Sequence, residues 1–472
     1  MPHDAIIIGS GPNGLAAAIT LAQAGRRVLL LEAKETIGGG TRSAELTLPG
    51  FVHDICSAIH PLGMASPFFA SLPLARYGLR WVQPDLPLAH PLDDGTAAVL
   101  ARGVEETAVS LPNPADHPAY RQLYTPFVTN WDKVLHEFLG PLRPPRHPLI
   151  MAQFGLKALR SASGLANATF ASDHARALFA GLAAHAIMPL EHPTTAAFGL
   201  MLGLLGHAVG WPLPQGGSHQ ITLAMAAYLA DLGGEIRTSH PVQSLADLPP
   251  AKAVLLDVTP RQFLQLAGDQ LPGRYRRRLE RYRYGPGVFK VDWALDGPIP
   301  WTAAACRRAG TVHVGGTLPE VAASERGMWR GEVVERPFVL VTQQSLFDPT
   351  RAPAGKQTGW AYVHVPHGST VDMTDRIERQ IERFAPGFRD LILARHTMTT
   401  RDFERYNPNY IGGDINGGVQ DWRQLFTRPV PRLNPYTTPI PGLYLCSSST
   451  PPGGGVHGMC GYFAAKTALA RQ

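Results

Sequence analysis

Two unbroken apolar runs, Ala5 to Ile8 and Val28 to Leu31, frame the start of the chain. Runs this short, with no polar alternation, predict strands buried on both faces. Between them lie Gly9-Ser10-Gly11-Pro12-Asn13-Gly14 and an Ala/Leu-rich stretch, Leu15 to Ala24, closed by Gly25, a residue suited to end a helix. The pattern therefore predicts strand, glycine turn, helix, strand. From Pro84 to Trp211 it changes to helical segments, among them Met151 to Ala168 and Ala175 to Ala186, separated by Pro-rich loops. After Gln215-Gly216-Gly217-Ser218 a helix, Gln220 to Ala230, and short runs at Glu235 to Thr238 and Ala253 to Val258 restore the first pattern. Residues 262 to 410 are strand-like and turn-rich, with Val288 to Leu295 and Val339 to Gln343 the clearest strands. The last strand candidate, Gly442 to Cys446, leads through Ser447 to Pro452 into Gly453-Gly454-Gly455 and a final helix. This interleaving predicts an α/β protein with a discontinuous Rossmann-type domain over 1–83, 212–261 and 411–472. A second, α+β domain is expected over 84–211 and 262–410.

In the first glycine loop Gly9 permits a tight turn, Gly11 lets the backbone approach a pyrophosphate, and Gly14 allows the helix to pack closely on the strand. The helix points its N-terminus, with free N–H groups and the positive end of its dipole, at that anion. Glu32, at the end of the second strand, stands where an acceptor for a ribose hydroxyl belongs. The motif alone is weak evidence, since Gly453-Gly454-Gly455-Val456-His457-Gly458 fits the same spacing. That match follows a Ser/Thr/Pro loop and has no acidic residue after it, so it predicts a helix N-terminus beside a ligand. Glu32 does not distinguish FAD from NAD. The loop Gly38-Gly39-Gly40-Thr41-Arg42 favours FAD, because it offers bare backbone and a guanidinium to a longer cofactor and its phosphate oxygens.

Composition narrows the field further. Of 472 residues only 17% are charged, against about 25% in an average soluble domain, and the net charge is +6, which argues against nucleic acid as a partner. The 48 glycines and 43 prolines indicate many turns within a folded chain. Cys56, Cys306, Cys446 and Cys460 form no C-x-x-C pair, so neither a disulfide framework nor a metal ribbon is expected. No charged-then-apolar leader precedes Ala5, and the cytoplasm is the expected compartment. The longest apolar stretch, Thr194 to Trp211, sits at the lower limit for a bilayer span and holds four glycines and His207. A buried helix is the favoured reading there, and a segment lying in a membrane interface is the other.

The motifs resemble those of the FAD-dependent amine oxidase and phytoene desaturase superfamily, with phytoene dehydrogenase-related oxidoreductases the nearest branch. The resemblance rests on Gly9 to Gly14, Glu32, Gly38 to Arg42, Asn407 to Ile415 and Gly442 to Gly461. It implies a Rossmann-type FAD-binding domain and noncovalent FAD. Gly9, Gly11 and Gly14 would hold the pyrophosphate and Glu32 the adenosine ribose. Gly39, Gly40 and Arg42 would lie along the cofactor's middle, with the Val242 backbone at the adenine. Gly454, Gly455 and Val456 would lie at the flavin end, with Ser448 in the serine run supplying the ribityl contact. The implied activity is hydride transfer from a hydrophobic, isoprenoid-like or carotenoid-like small molecule to the flavin. Flavin amine oxidation and a flavin-binding interaction protein with little turnover are the alternatives. The helical 84–211 region would line the substrate cavity and is the candidate for peripheral membrane contact; the oligomeric state is left open.

Two histidines enter as candidate proton carriers or substrate contacts: His457, one residue beyond the glycine run, and His60, near Cys56 to Ile59. For each the alternative is a structural role. Arg274, Arg276, Arg277, Arg278, Arg281 and Arg283, interleaved with tyrosines, are read as a solvated helix face, and Asp414 among glycines as a turn former or a ligand contact. No H-E-x-x-H or G-x-S-x-G motif occurs, and no metal site is expected.

Overall fold

A computed structural model describes residues 3–471. The first apolar run is strand β1 (Ala5–Ile8), the Ala/Leu stretch is helix α1 (Pro12–Gln23), and the second run is β2 (Val28–Leu31). The chain then supplies β3 (Leu86–Pro91) and β4 (Ala97–Leu100) to a different sheet. Helices α2 (Pro148–Ala158), α3 (Asp173–Ala184), α4 (Thr195–Ala208) and α5 (His219–Asp231) follow. Next come β5 (Glu235–Arg237), β6 (Ala253–Leu256), β7 (Gly287–Leu295), β8 (Ala309–Val314), β9 (Val339–Thr342), β10 (Gln357–Val365) and β11 (Ile392–Met398). The described chain closes with β12 (Leu443–Leu445) and helix α6 (Met459–Leu469).

One sheet has the order β12-β6-β1-β2-β5 and is parallel throughout. Ile7 at its centre sits level with Leu30 on one side and Leu255 on the other, all buried. Its strands come from three separated stretches of sequence. The other sheet has seven strands, β11-β7-β10-β9-β8-β3-β4, antiparallel except where β8 meets β3.

Two glycines fix how the two ends of the chain meet. A Cβ on Gly14 would collide with the carbonyl oxygen of Gly9, so only glycine lets α1 begin this close to β1. A Cβ on Gly461 would strike the carbonyl oxygen of Asn13, so α6 rests directly on the first turn of α1.

The Thr194 to Trp211 stretch forms α4, a 14-residue helix buried along most of its length. Phe179 packs at Gly199, Tyr124 at Gly203 and Leu100 at Gly206, each where a Cβ would intrude. An apolar helix with side chains docked into its glycine notches is a core element, which overturns the interfacial alternative for this segment. Among the described residues no helix is long and apolar enough to cross a membrane. The arginine cluster lies on the helix Gly273–Glu280 and just beyond it, where Arg276 pairs with Asp269 at 2.8 Å and Arg283 with Asp421 at 2.8 Å. Asp414 is buried and accepts the N–H groups of Gly285, Asn416 and Gly418 at 2.7–2.8 Å, the work of a turn former.

Candidate active site

A cavity of about 720 Å³ runs between the two sheets. At one end it is walled by the β1–α1 loop, Glu32, Lys34 and Val242; further along come Gly39, Gly40, Arg42 and Ser448. Gly455 and Val456 reach it from the far end of the chain, so the two glycine-rich turns face one space.

Glu32, only 7% exposed, holds this end together. Its Oε2 accepts the Ser10 N–H at 2.9 Å and the Ser10 hydroxyl at 2.6 Å, while Oε1 accepts the Lys34 N–H at 3.0 Å and Arg42 Nη2 at 3.2 Å. A ribose hydroxyl reaching this carboxylate shares an oxygen already in use. Arg42 lines the cavity beside Gly39 and Gly40, as expected of it, and the protein also engages its side chain. Its guanidinium donates to the Thr36 carbonyl at 2.7 Å and to Glu32, and lies 5.5 Å from the centre of the Tyr406 ring. With those donors committed, it positions Glu32 and remains part of the wall. Gly14 likewise does not reach the cavity surface, because its N–H donates to Asp257 Oδ2 at 2.9 Å and its bare Cα serves packing.

Sequence reasoning missed Asp257. It follows β6, lines the cavity beside Gly9 and Gly11, and faces the N-terminus of α1 where the pyrophosphate is expected. Withdrawal from water raises its pKa from 3.8 to about 7, the Gly14 N–H opposes the shift, and Glu32 adds to it. Asn409 braces this loop, donating to the Asp257 carbonyl at 3.0 Å and accepting the Thr259 N–H at 2.9 Å. The motif Asn407 to Tyr410 was legible in the sequence, though not its target.

At the opposite end the seven-stranded sheet contributes Thr311, Leu340, Thr342, Trp360 and Tyr362, and the helices contribute His185, Leu202 and Trp211. Trp360 and Tyr362, two apart on β10, share a face and meet at 75° with centroids 5.2 Å apart. His185 lies just beyond α3, with Nε2 3.1 Å from His313 Nε2. That leaves Nδ1 for the cavity. Burial, with His364 nearby, lowers its pKa to about 3, so the ring is neutral.

The two histidines singled out earlier part ways. His60 lines the cavity; its Nε2 lies 2.8 Å from Ser218 Oγ, and burial lowers its pKa to about 4. His457 is fully buried and does not line the cavity. Its Nδ1 accepts the Met459 N–H at 3.0 Å at the start of α6, and its carbonyl accepts the Ser66 hydroxyl at 2.6 Å. It binds the first N–H of that helix and stands back from the cavity, which favours the structural role. Gly454 also stands back from the cavity, against Asn416. All four cysteines are free and buried, and burial pushes the Cys460 thiol up to about 12, far from redox reactivity.

The site fits FAD. Bare glycine backbone meets the expected phosphates, a buried carboxylate the ribose, and an apolar, aromatic chamber the ring. The sequence of residues 7–71 matches the family model "NAD(P)-binding Rossmann-like domain". Over 98% of its length the chain is 26% identical to pyridine nucleotide-disulfide oxidoreductase domain-containing protein 2 of Rattus norvegicus, covering 92% of that protein. It is 24% identical to a limonene dehydrogenase polypeptide of Castellaniella defragrans, covering 98% of this chain and 94% of that one. It is 26% identical to the neurosporene-forming phytoene desaturase of Rhodobacter capsulatus, covering 97% and 92%. Among solved structures, an oxidoreductase from Methanosarcina mazei aligns with a TM-score of 0.68 at 17% identity over 99% of both chains. Putrescine oxidase aligns with a TM-score of 0.64 at 19% identity over 100% of this chain and 99% of that one. Over nearly its whole length the chain is thus similar in sequence to phytoene desaturases and shares the fold of the amine oxidases, and its glycine loops, buried carboxylate and aromatic chamber fit an FAD-dependent oxidoreductase.

Proposed function

We propose that the protein dehydrogenates a small, mostly apolar molecule, which gives up a hydride from one carbon and a proton from the neighbouring atom, the proton passing to solvent. FAD, when bound, supplies the hydride acceptor. The observation that carries the reading is the continuity of the cavity: loops suited to a dinucleotide at one end open into a chamber of Leu202, Leu340, Trp360 and Tyr362. Pockets for drug-sized ligands span roughly 300–1,000 Å³, and here 720 Å³ must hold both cofactor and substrate. That favours a compact substrate over a long carotenoid chain. The relatives named for limonene and phytoene support a hydrocarbon donor.

The chain's own residues orient and polarise. The Trp360 and Tyr362 faces pack against the substrate, and the neutral His185 imidazole keeps one ring nitrogen, left free by His313, for any polar group the substrate carries. One observation favours a second reading. The same aromatic corner suits an amine, which also loses a hydride and a proton, and putrescine oxidase shares the fold.

Anaerobic titration of the yellow holoenzyme with cyclic terpenes and with small amines separates the two, since only a true donor bleaches the flavin. Bleaching by terpenes supports the proposal, and bleaching by amines alone replaces it with the second reading. With an amine donor, His185→Ala is expected to slow flavin reduction by about tenfold, the loss of one hydrogen bond; with a hydrocarbon donor the rate should change little, and FAD content should be unchanged in both cases.

A further inference from the structure

Helix α2 presents an unusual outer surface. Phe154 and Ala158 turn inward, where the Phe154 ring meets Phe127, and the helix packs on α4. Leu149 and Leu156 turn outward and are 88% and 77% exposed, and Leu159, which ends the helix, is 60% exposed. With 100° between successive residues, Leu149, Ala152, Leu156 and Leu159 share an arc of about 80°. Leu142, in the loop before the helix, is exposed as well.

Charge completes the pattern. From Phe138 to Ser172 there is no Asp or Glu, while Arg143, Arg146, Lys157 and Arg160 all lie in that stretch. Arg146 precedes the helix, and Lys157 and Arg160 lie at its C-terminal end, so cations bracket the leucines. An exposed helix face that is part leucine and part cation matches a bilayer interface, where leucines enter the acyl boundary and long cationic side chains reach anionic headgroups.

We propose that the outer face of α2 docks the protein on bilayers containing anionic phospholipid. The inner side of the same helix rests on α4, whose Leu202 lines the cavity. Docking would thus set the substrate chamber one helix layer behind the lipid surface.

The test is co-sedimentation of the holoenzyme with phosphatidylglycerol/phosphatidylcholine vesicles and with pure phosphatidylcholine vesicles, alongside size-exclusion chromatography with light scattering. Wild type is expected to bind the anionic vesicles at least tenfold more strongly than the neutral ones. The double variant Leu149→Gln/Leu156→Gln should lose at least tenfold of that binding, and Arg146→Gln/Arg160→Gln should lose most of the preference. FAD content and melting temperature serve as folding controls, since neither pair contacts the cavity. Three results would overturn the proposal: no binding to either vesicle, binding indifferent to the leucines, or a wild-type dimer that the leucine variant converts to monomer. The last would assign the face to a second copy of this chain.

Discussion

Glu32 and Asp257 place two carboxyl groups within one dinucleotide site, and their surroundings set them different tasks. Glu32 receives four donors and ties the β1–α1 loop to Arg42. Glu32→Ala should weaken FAD binding by about 10- to 100-fold, the loss of one charge-assisted contact plus a loosened loop, measured by fluorescence titration of apoprotein. Asp257 receives one backbone N–H and faces the expected pyrophosphate. Its folded pKa of about 7 exceeds the ordinary 3.8, so between those values the folded protein keeps a proton that the unfolded chain has lost. The stabilisation from this group is therefore complete below about pH 4 and declines as pH rises through 7. Asp257→Asn should remove that decline, so its melting temperature relative to wild type rises from pH 5 to pH 8. Wild-type FAD affinity should also fall several-fold over the upper part of this range, while the variant's stays flat. Parallel pH profiles for the two proteins would refute this role.

At the scale of elements, the first strand, helix and strand were legible because their signals are local: two apolar runs, three glycines and a carboxylate. The packing of α6 on α1 was expressed only as Gly461, one glycine among 48, whose neighbour Asn13 lies at the other end of the sequence. Gly461→Val should push the two helices apart, lower the melting temperature and cost FAD retention together, read by thermal melts and absorbance. A variant that melts earlier yet retains its flavin would show that the contact serves stability alone. The role of His457 was hidden for a related reason. Its place beside the glycine run was visible, but the Met459 N–H that claims its Nδ1 follows from the turn geometry. His185, Trp360 and Tyr362 were out of reach, because alternation along β10 assigns side chains to two faces without saying which face looks onto the cofactor.

For the molecule as a whole, the parallel sheet joins strands from three separated stretches of the chain. Because FAD would bridge loops from the first, middle and last parts of the chain, its binding should stabilise the fold globally. At 100-fold excess over its dissociation constant, this amounts to about 2.7 kcal/mol. Apoprotein titrated with FAD should therefore melt several degrees higher in a single shifted transition, and a melt indifferent to FAD would contradict the bridging. Arg42 shows where sequence reading ends at this scale: its guanidinium is turned by the Thr36 carbonyl nearby and by Tyr406 far along the chain.

The seating of α6 against the first turn of α1 also orders events during synthesis. The glycine loop emerges from the ribosome long before the turn at Gly455, so a chain translated only part of the way carries only part of the cofactor's berth. Flavin uptake must then wait for that turn, and chains truncated ahead of it would emerge colourless.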